Sequence, residues 1–253
     1  MREALLTRGT EGIELIDLSL VRLAAGEREM LVDDGELCAV VLSGAVEVEV
    51  NGVALGRAAR EASVFESPGD AVYVPPGEHL QAVASSDAVL AVATAPVGDG
   101  VPGRARIVGP ADQQVRAAGT GNWARTIRTV LGPDDDAARL ILGETVNPPG
   151  NWSSYPPHKH DRDAPPDEVA LEEVYLYRFE PAAGFGVQLV YDDTHERAQI
   201  VRDGDVVAIP AGYHPVVAAP GYALYYLWVM AGEGREMAPY LEPRHAWIQD
   251  GAV

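Results

Sequence analysis

Apolar residues recur along this chain in runs of four to eight, bounded by Gly, Pro, Asp or Asn and rich in β-branched and aromatic side chains. Residues 36–44, 71–74, 173–179 and 206–209 are the clearest cases. Such runs predict short strands separated by turns. Helical spacing is sparse: residues 112–118 and 137–140 predict a turn or two of helix each, too little for an α/β architecture. Many short strands with turn chemistry between them predict an all-β chain of jelly-roll β-barrel or sandwich units.

One segment occurs twice. Gly69, Asp70, Pro75, Gly77 and His79 stand at the same relative positions as Gly204, Asp205, Pro210, Gly212 and His214, around a short apolar strand in each case. This is an internal duplication. Upstream of each copy an acidic residue opens an apolar strand, Glu36 in the first half and Glu173 in the second. The Pro- and Gly-bearing stretch 97–109 breaks the strand pattern between the copies, so two domains are expected, 1–109 and 110–253. A chain of 253 residues has ample material for two buried cores.

The second half carries the candidate chemistry. Successive side chains of a strand alternate faces, so in His158-Lys159-His160 both imidazoles point one way and the lysine points elsewhere. Glu173 follows as the first inward side chain of its strand, and His214 arrives after the turn Pro210-Ala211-Gly212 on the next strand. Three imidazoles and a carboxylate are a divalent-metal donor set, suited to Zn²⁺ first and also to Mn²⁺, Fe²⁺, Co²⁺ or Ni²⁺. In the first half no H-x-H precedes Glu36, and one histidine with one glutamate rarely holds a catalytic ion, so that domain is read as structural with a degenerate site. His79, His195 and His245 have no second ligand at short spacing.

Charge excludes other classes. A net charge of −19 makes nucleic acid and anionic membranes poor partners. No basic and apolar leader or membrane-length apolar run is visible, and the single cysteine, Cys38, lies in an apolar run as a small hydrophobe. A cytoplasmic setting is expected. Lys159 is the only lysine beside eighteen arginines. A compact ammonium kept inside the H-x-H motif suggests a partner for an anionic substrate or for an acidic neighbour such as Asp161. Strand edges in such a fold are often covered by a partner, so a homo-oligomer is possible on general grounds.

The donor set, two His, one Glu and a distant His, resembles the two-part motif of the cupin superfamily, although only Tyr213 separates Gly212 from His214 where the usual cupin turn has two residues. A closer resemblance runs through residues 151–161, Glu172-Glu173-Val174-Tyr175, Gly184-Phe185 with Gln188 and Tyr191, Gly212-Tyr213-His214-Pro215, and residues 220–232. With Asp70 to Gly77 in the first half, these segments are similar to the 5-deoxy-glucuronate isomerase family of bacterial myo-inositol catabolism. That family shows the short Gly-Tyr-His spacing. The resemblance implies two cupin domains and a metal at His158, His160, Glu173 and His214. It also implies the intramolecular redox isomerisation of 5-deoxy-D-glucuronate, an aldehyde, to the ketone 2-deoxy-5-keto-D-gluconate.

A divalent ion on such ligands would polarise a carbonyl, acidify the neighbouring C–H and stabilise enediolate charge. Glu173, Lys159 and Tyr213 are the catalytic candidates; Glu168, Tyr213, His195 and a metal-bound hydroxide remain open as the base, and a metal-assisted hydride shift would need none. For the substrate carboxylate and hydroxyls the candidates are Arg162, Arg197 and Lys159, with Gln188 and Tyr213 as uncharged donors. Arg178 should face away from Glu173. Tyr175, Tyr177 and Phe179 read as lining or core, and residues 161–171 as an Asp- and Pro-rich loop over the site mouth. Two alternatives stay open: an iron-dependent cupin dioxygenase, and a non-catalytic bicupin that binds a sugar acid.

Overall fold

The computed structural model describes residues 1–97 and 103–250. Nearly all regular structure is β, and no helix among the described residues is long and apolar enough to cross a membrane. The chain divides into two compact units. The first comprises Met1–Thr10, Glu14–Gln113 and Val130–Ile141, and the second Glu11–Ile13, Gln114–Thr129 and Leu142–Val253. A single boundary therefore does not describe the division, because 130–141 returns to the first unit. Of the expected junction 97–109, residues 98–102 lie outside the described residues, whereas Arg106–Val108 is a strand paired with Ala71–Val74.

In the first unit the strand Glu36–Val50 organises the fold. Its first half pairs with Ala71–Val74 and Ala88–Ala95, and its second half with Val53–Arg60 and His79–Ala84. The register shifts between Val41 and Ser43, and Gly44 follows at φ +75, where a Cβ would lie 2.0 Å from the Asp87 carbonyl oxygen. Only glycine fits this corner. Val21, Leu31, Leu37, Val41, Val46, Val72 and Leu90 are among the side chains that fill the core. Cys38 is also buried, on the face of its strand opposite Leu37 and Ala39, and burial pushes its thiol up to about 12, so it behaves as a small hydrophobe.

The second unit contains a sheet ordered Gln114–Ala118, Arg125–Leu131, Ile141–Asn147, Ala223–Ala231, Glu172–Glu180, Val206–Ile209, and a smaller sheet ordered Trp152–Ser153, Val216–Ala218, Phe185–Tyr191, Glu196–Arg202. Glu172–Glu180 is paired on both edges, and its successive side chains from Glu173 to Tyr177 are buried on both faces, in keeping with its apolar run. Neither expected helix forms. Gln114–Ala118 is a strand in a hairpin with Arg125–Leu131, and residues 137–140 are irregular. Helical spacing over so few residues yields to cross-strand pairing.

Strand register corrects one detail of the duplication. Ala71–Val74 and Val206–Ile209 are equivalent strands, and Val74 faces Leu37 where Ile209 faces Glu173. The residue of the first unit that matches Glu173 is thus Leu37, and Glu36 matches Glu172. A one-residue step in a strand reverses the face. Glu36 is fully buried and accepts hydrogen bonds from Tyr73 Oη (2.8 Å) and from the backbone N–H groups of Ala138 (2.8 Å), Arg139 (2.6 Å) and Leu140 (2.5 Å). His79 is exposed on its strand. The carboxylate of the first unit ties down a loop, and an apolar side chain occupies the ligand position.

Candidate metal centre

His158, His160, His214 and Glu173 converge in the second unit. The ligand nitrogens of the three histidines lie within 4.8 Å of one another. Glu173 Oε2 is 3.2 Å from both His160 Nε2 and His214 Nε2. Glu173 stands on Glu172–Glu180, opposite Met230 and Ile209. His158 begins the two-residue strand His158–Lys159, paired with Tyr240–Leu241, and His160 follows it. His214 lies in the coil after Gly212 and before the strand Val216–Ala218, not on a strand as expected. Gly212 has φ +93, and a Cβ there would sit 2.8 Å from the Tyr191 carbonyl oxygen, so the turn that delivers His214 requires glycine.

Second contacts fix each imidazole. Nδ1 of His158, His160 and His214 faces the carbonyl oxygen of Pro156 (3.3 Å), Leu171 (2.7 Å) and Gly212 (2.9 Å) respectively. Carbonyls only accept, so Nδ1 carries the proton and Nε2 offers its lone pair, as metal-binding histidines do. His214 Nε2 is wholly buried and, though near Glu173, makes no hydrogen bond. A buried nitrogen without a partner is costly, and an ion satisfies it. Burial pushes the His158 ring down to about 3, with repulsion from His214 and His160 adding to it. Burial would raise Glu173, but the His160 and His214 rings, each with Nε2 3.2 Å from Oε2, outweigh it and hold the carboxyl at about 2. The residues present fit a divalent ion.

The cage opens into a cavity of about 200 Å³. One wall is a single face of the larger sheet. Glu173 and Tyr175 alternate along one strand, Met230, Trp228 and Tyr226 face them or their neighbours on the next, Thr145 lies on the third, and Ile127, Arg125 and Arg116 belong to the hairpin. The other wall holds Ser154, Tyr155, Pro156, His158, His160 and Leu171, together with Met237, Ala238, Pro239, Leu241 and Gln249. Ser154, at φ 49, places Oγ 2.7 Å from Tyr175 Oη, and Ser153 Oγ lies 2.6 Å from Tyr226 Oη.

Most of the other expected site residues lie elsewhere, for identifiable reasons. Lys159 points away from the cage to pair with Asp161 and with Glu168 (3.2 Å). Glu168 is fully buried and accepts the backbone N–H groups of Asp161 and Arg162, both 3.0 Å, which folds residues 161–171 back on themselves. Of that loop only Leu171 lines the cavity, so it does not roof the site. The Arg162 side chain is exposed, and Arg197 reaches the Ala208 carbonyl. Tyr213 stacks on Tyr191, and the His195 side chain is exposed. Gln188 is buried; it donates to the carbonyls of His214 (2.8 Å) and Pro215 (3.2 Å), so it positions the histidine and does not reach the cavity. Sequence reasoning missed Arg116, Arg125, Tyr226 and the 237–241 wall. The alternating pattern of the hairpin was the available signal for the two arginines.

Asp161 links the two halves of the cage. Its carboxylate pairs with Lys159 and accepts the Gly212 N–H at 2.8 Å. Asp161→Ala is expected to free the His214 turn and weaken divalent-metal affinity about 10- to 100-fold, as loss of an outer contact does. Competition with a chromogenic chelator measures it.

Residues 4–248 match the model of the KduI/IolB family. The chain is 37% identical over 246 residues to the 5-deoxy-glucuronate isomerase of Geobacillus kaustophilus (strain HTA426), covering 96% of this chain and 88% of that protein. It is 35% identical over 249 residues to the 5-deoxy-glucuronate isomerase of Bacillus subtilis (strain 168), covering 96% and 90%. Among solved structures, an IolB-like protein from Salmonella typhimurium LT2 superposes with a TM-score of 0.92 at 34% identity, covering 97% of this chain and 94% of that one. Oxalate decarboxylase of Bacillus subtilis gives a TM-score of 0.66 at 13% identity over 95% and 77%, a likeness of fold. The fold is that of a two-unit cupin.

Proposed function

The chain belongs to the KduI/IolB family, and we propose that it converts 5-deoxy-D-glucuronate to 2-deoxy-5-keto-D-gluconate at the divalent-metal centre of its second unit. The observation that carries this reading is the cage itself. Three imidazoles locked with Nε2 inward and one carboxylate share a cavity with the hydroxyls of Ser154, Tyr175 and Tyr226. Zn²⁺ is the first choice of ion for this donor set, with Mn²⁺, Fe²⁺, Co²⁺ and Ni²⁺ also suited. Once bound, the ion supplies Lewis acidity toward the substrate carbonyl.

The chain's own residues supply the rest. The reaction moves a proton from the carbon next to the aldehyde onto the aldehyde carbon, and a second proton between the two oxygens; no external oxidant enters. Ser154, Tyr175 and Tyr226 face the cavity with exchangeable protons; Ser154 is hydrogen-bonded to Tyr175, and Ser153 to Tyr226, which holds both phenols in place. The apolar wall of Leu171, Trp228, Met230 and Met237 limits water around the reacting carbons. A buried Cys38 that needs no disulfide accords with a cytoplasmic setting.

The test is proton NMR of 5-deoxy-D-glucuronate in D₂O with metal-replete protein and with a His158→Ala, His160→Ala control. Conversion by the wild type alone is expected. Deuterium at the former aldehyde carbon identifies an exchanging enediol. Absence of conversion with every divalent metal overturns the proposal.

A further inference from the structure

Two guanidinium groups enter the cavity from the hairpin Gln114–Ala118 and Arg125–Leu131. Arg116 faces Ile127, and Ala118 faces Arg125, so Arg116, Ile127 and Arg125 present one common face. All three line the cavity. Arg116 and Arg125 are diagonal neighbours of like charge, within reach of each other's long side chains, and among the described residues no carboxylate pairs with either arginine.

Arg125 is the more constrained of the two. It is half-buried, and its Nη1 donates to the Trp123 carbonyl oxygen (3.1 Å). Its buried Nε has no hydrogen-bond partner among the described residues. A buried guanidinium N–H left unpaired costs free energy that an incoming anion restores. Burial, and then the Arg116 charge, press its pKa below the usual range, and the phenols of Tyr226 and Tyr175 oppose them only in part. In a chain of net charge −19, two neighbouring guanidinium groups on the cavity wall, three and four strands from Glu173, are a local reversal of sign.

We propose that Arg125, assisted by Arg116, binds the carboxylate of the sugar acid and thereby sets which end of it reaches the metal cage. This rests on the isomerase reading and adds the anchor that reading lacks. Sheet order supports it. Arg125–Leu131 lies three strands from Glu172–Glu180, about 14 Å at the usual spacing. A long arginine reaching inward and a six-carbon acid reaching from the cage close that gap between them. Planar guanidinium groups match carboxylates in a way no hydroxyl wall does. Held this way, the carboxylate is kept off the cage, which leaves the aldehyde and its adjacent hydroxyl to meet the ion.

The test compares wild type, Arg125→Gln, Arg125→Lys and Arg116→Gln, all metal-replete and checked for metal content. Two readouts are taken: kcat and KM for 5-deoxy-D-glucuronate and for its neutral uronamide, and calorimetric binding of D-glucuronate, which needs no turnover. Arg125→Gln should raise KM and the glucuronate Kd on the order of 10- to 100-fold. Arg125→Lys should fall between it and wild type. Wild type should prefer the acid over the amide, and Arg125→Gln should lose that preference. Unchanged glucuronate binding in Arg125→Gln with full metal content overturns the proposal. Equal handling of acid and amide by the wild type, or no glucuronate binding by it, also overturns it, even if the variants fail to fold. Failure of the isomerase reading shows separately, as no conversion by the wild type while glucuronate binding still reports on Arg125.

Discussion

Glu173→Gln is expected to abolish divalent-metal retention and to lower isomerase turnover on the order of 10³-fold, the scale on which a single preorganised electrostatic group acts. The substitution preserves volume, so packing against Met230 and Ile209 survives. What disappears is the one anionic group of the cage, whose Oε2 lies 3.2 Å from both His160 Nε2 and His214 Nε2. Wild type should also melt higher when loaded, because an ion bound only to the folded state at 1,000 times its Kd adds about 4 kcal/mol. The variant should lose that increment while its metal-free melting temperature stays close to wild type. Elemental analysis and paired melting curves with and without metal measure both effects. A variant that keeps full metal and full turnover would remove Glu173 from the site.

The second large effect falls on stability, far from the chemistry. Glu36→Ala strips the shared acceptor from four donors, two of them buried (Tyr73 Oη and the Leu140 N–H) and two half-buried (the N–H groups of Ala138 and Arg139). Each unpaired buried donor costs about 1–3 kcal/mol, partly recovered by water entry and relaxation, so a loss of about 3–5 kcal/mol is expected. That is a large part of the 5–15 kcal/mol typical of a folded protein. Glu36→Gln keeps one acceptor oxygen and should fall between. Urea unfolding resolves the effect. Metal content and turnover of the protein still folded should match wild type, because Glu36 is not a ligand. Reduced metal content in folded Glu36→Ala would mean that the first unit contributes to ion binding.

These two glutamates show where the sequence was legible. H-x-H and the duplicated G-x₅-P-x-G turn are local patterns, and strand alternation turns local spacing directly into a shared face. The cage and the β architecture follow from that reasoning. Glu36 was matched to Glu173 because both open apolar strands, yet pairing with Ala71–Val74 places Leu37 at the ligand position. Register depends on the partner strand, which a run of residues does not name. The same reason hid Arg125. Its place in the cavity comes from a sheet order in which two strands intervene between its own strand and that of Glu173. Lys159, Arg162 and Arg197 drew attention by proximity in sequence to the ligands, but Lys159 faces away from the cage by alternation and pairs with Asp161 and Glu168. The wall at residues 237–241 arises from a two-residue pairing, Tyr240–Leu241 with His158–Lys159, too short to leave a periodic signal.

The central claim, one divalent-metal centre per chain that isomerises a deoxy-uronate, is tested most directly by titrating metal-free protein with Zn²⁺ while following conversion of 5-deoxy-D-glucuronate by NMR. The rate should be negligible without metal, rise in proportion to the ion added and level off at one ion per chain. Full turnover by verified metal-free protein, or a rate that levels off only at two ions per chain, would contradict the account.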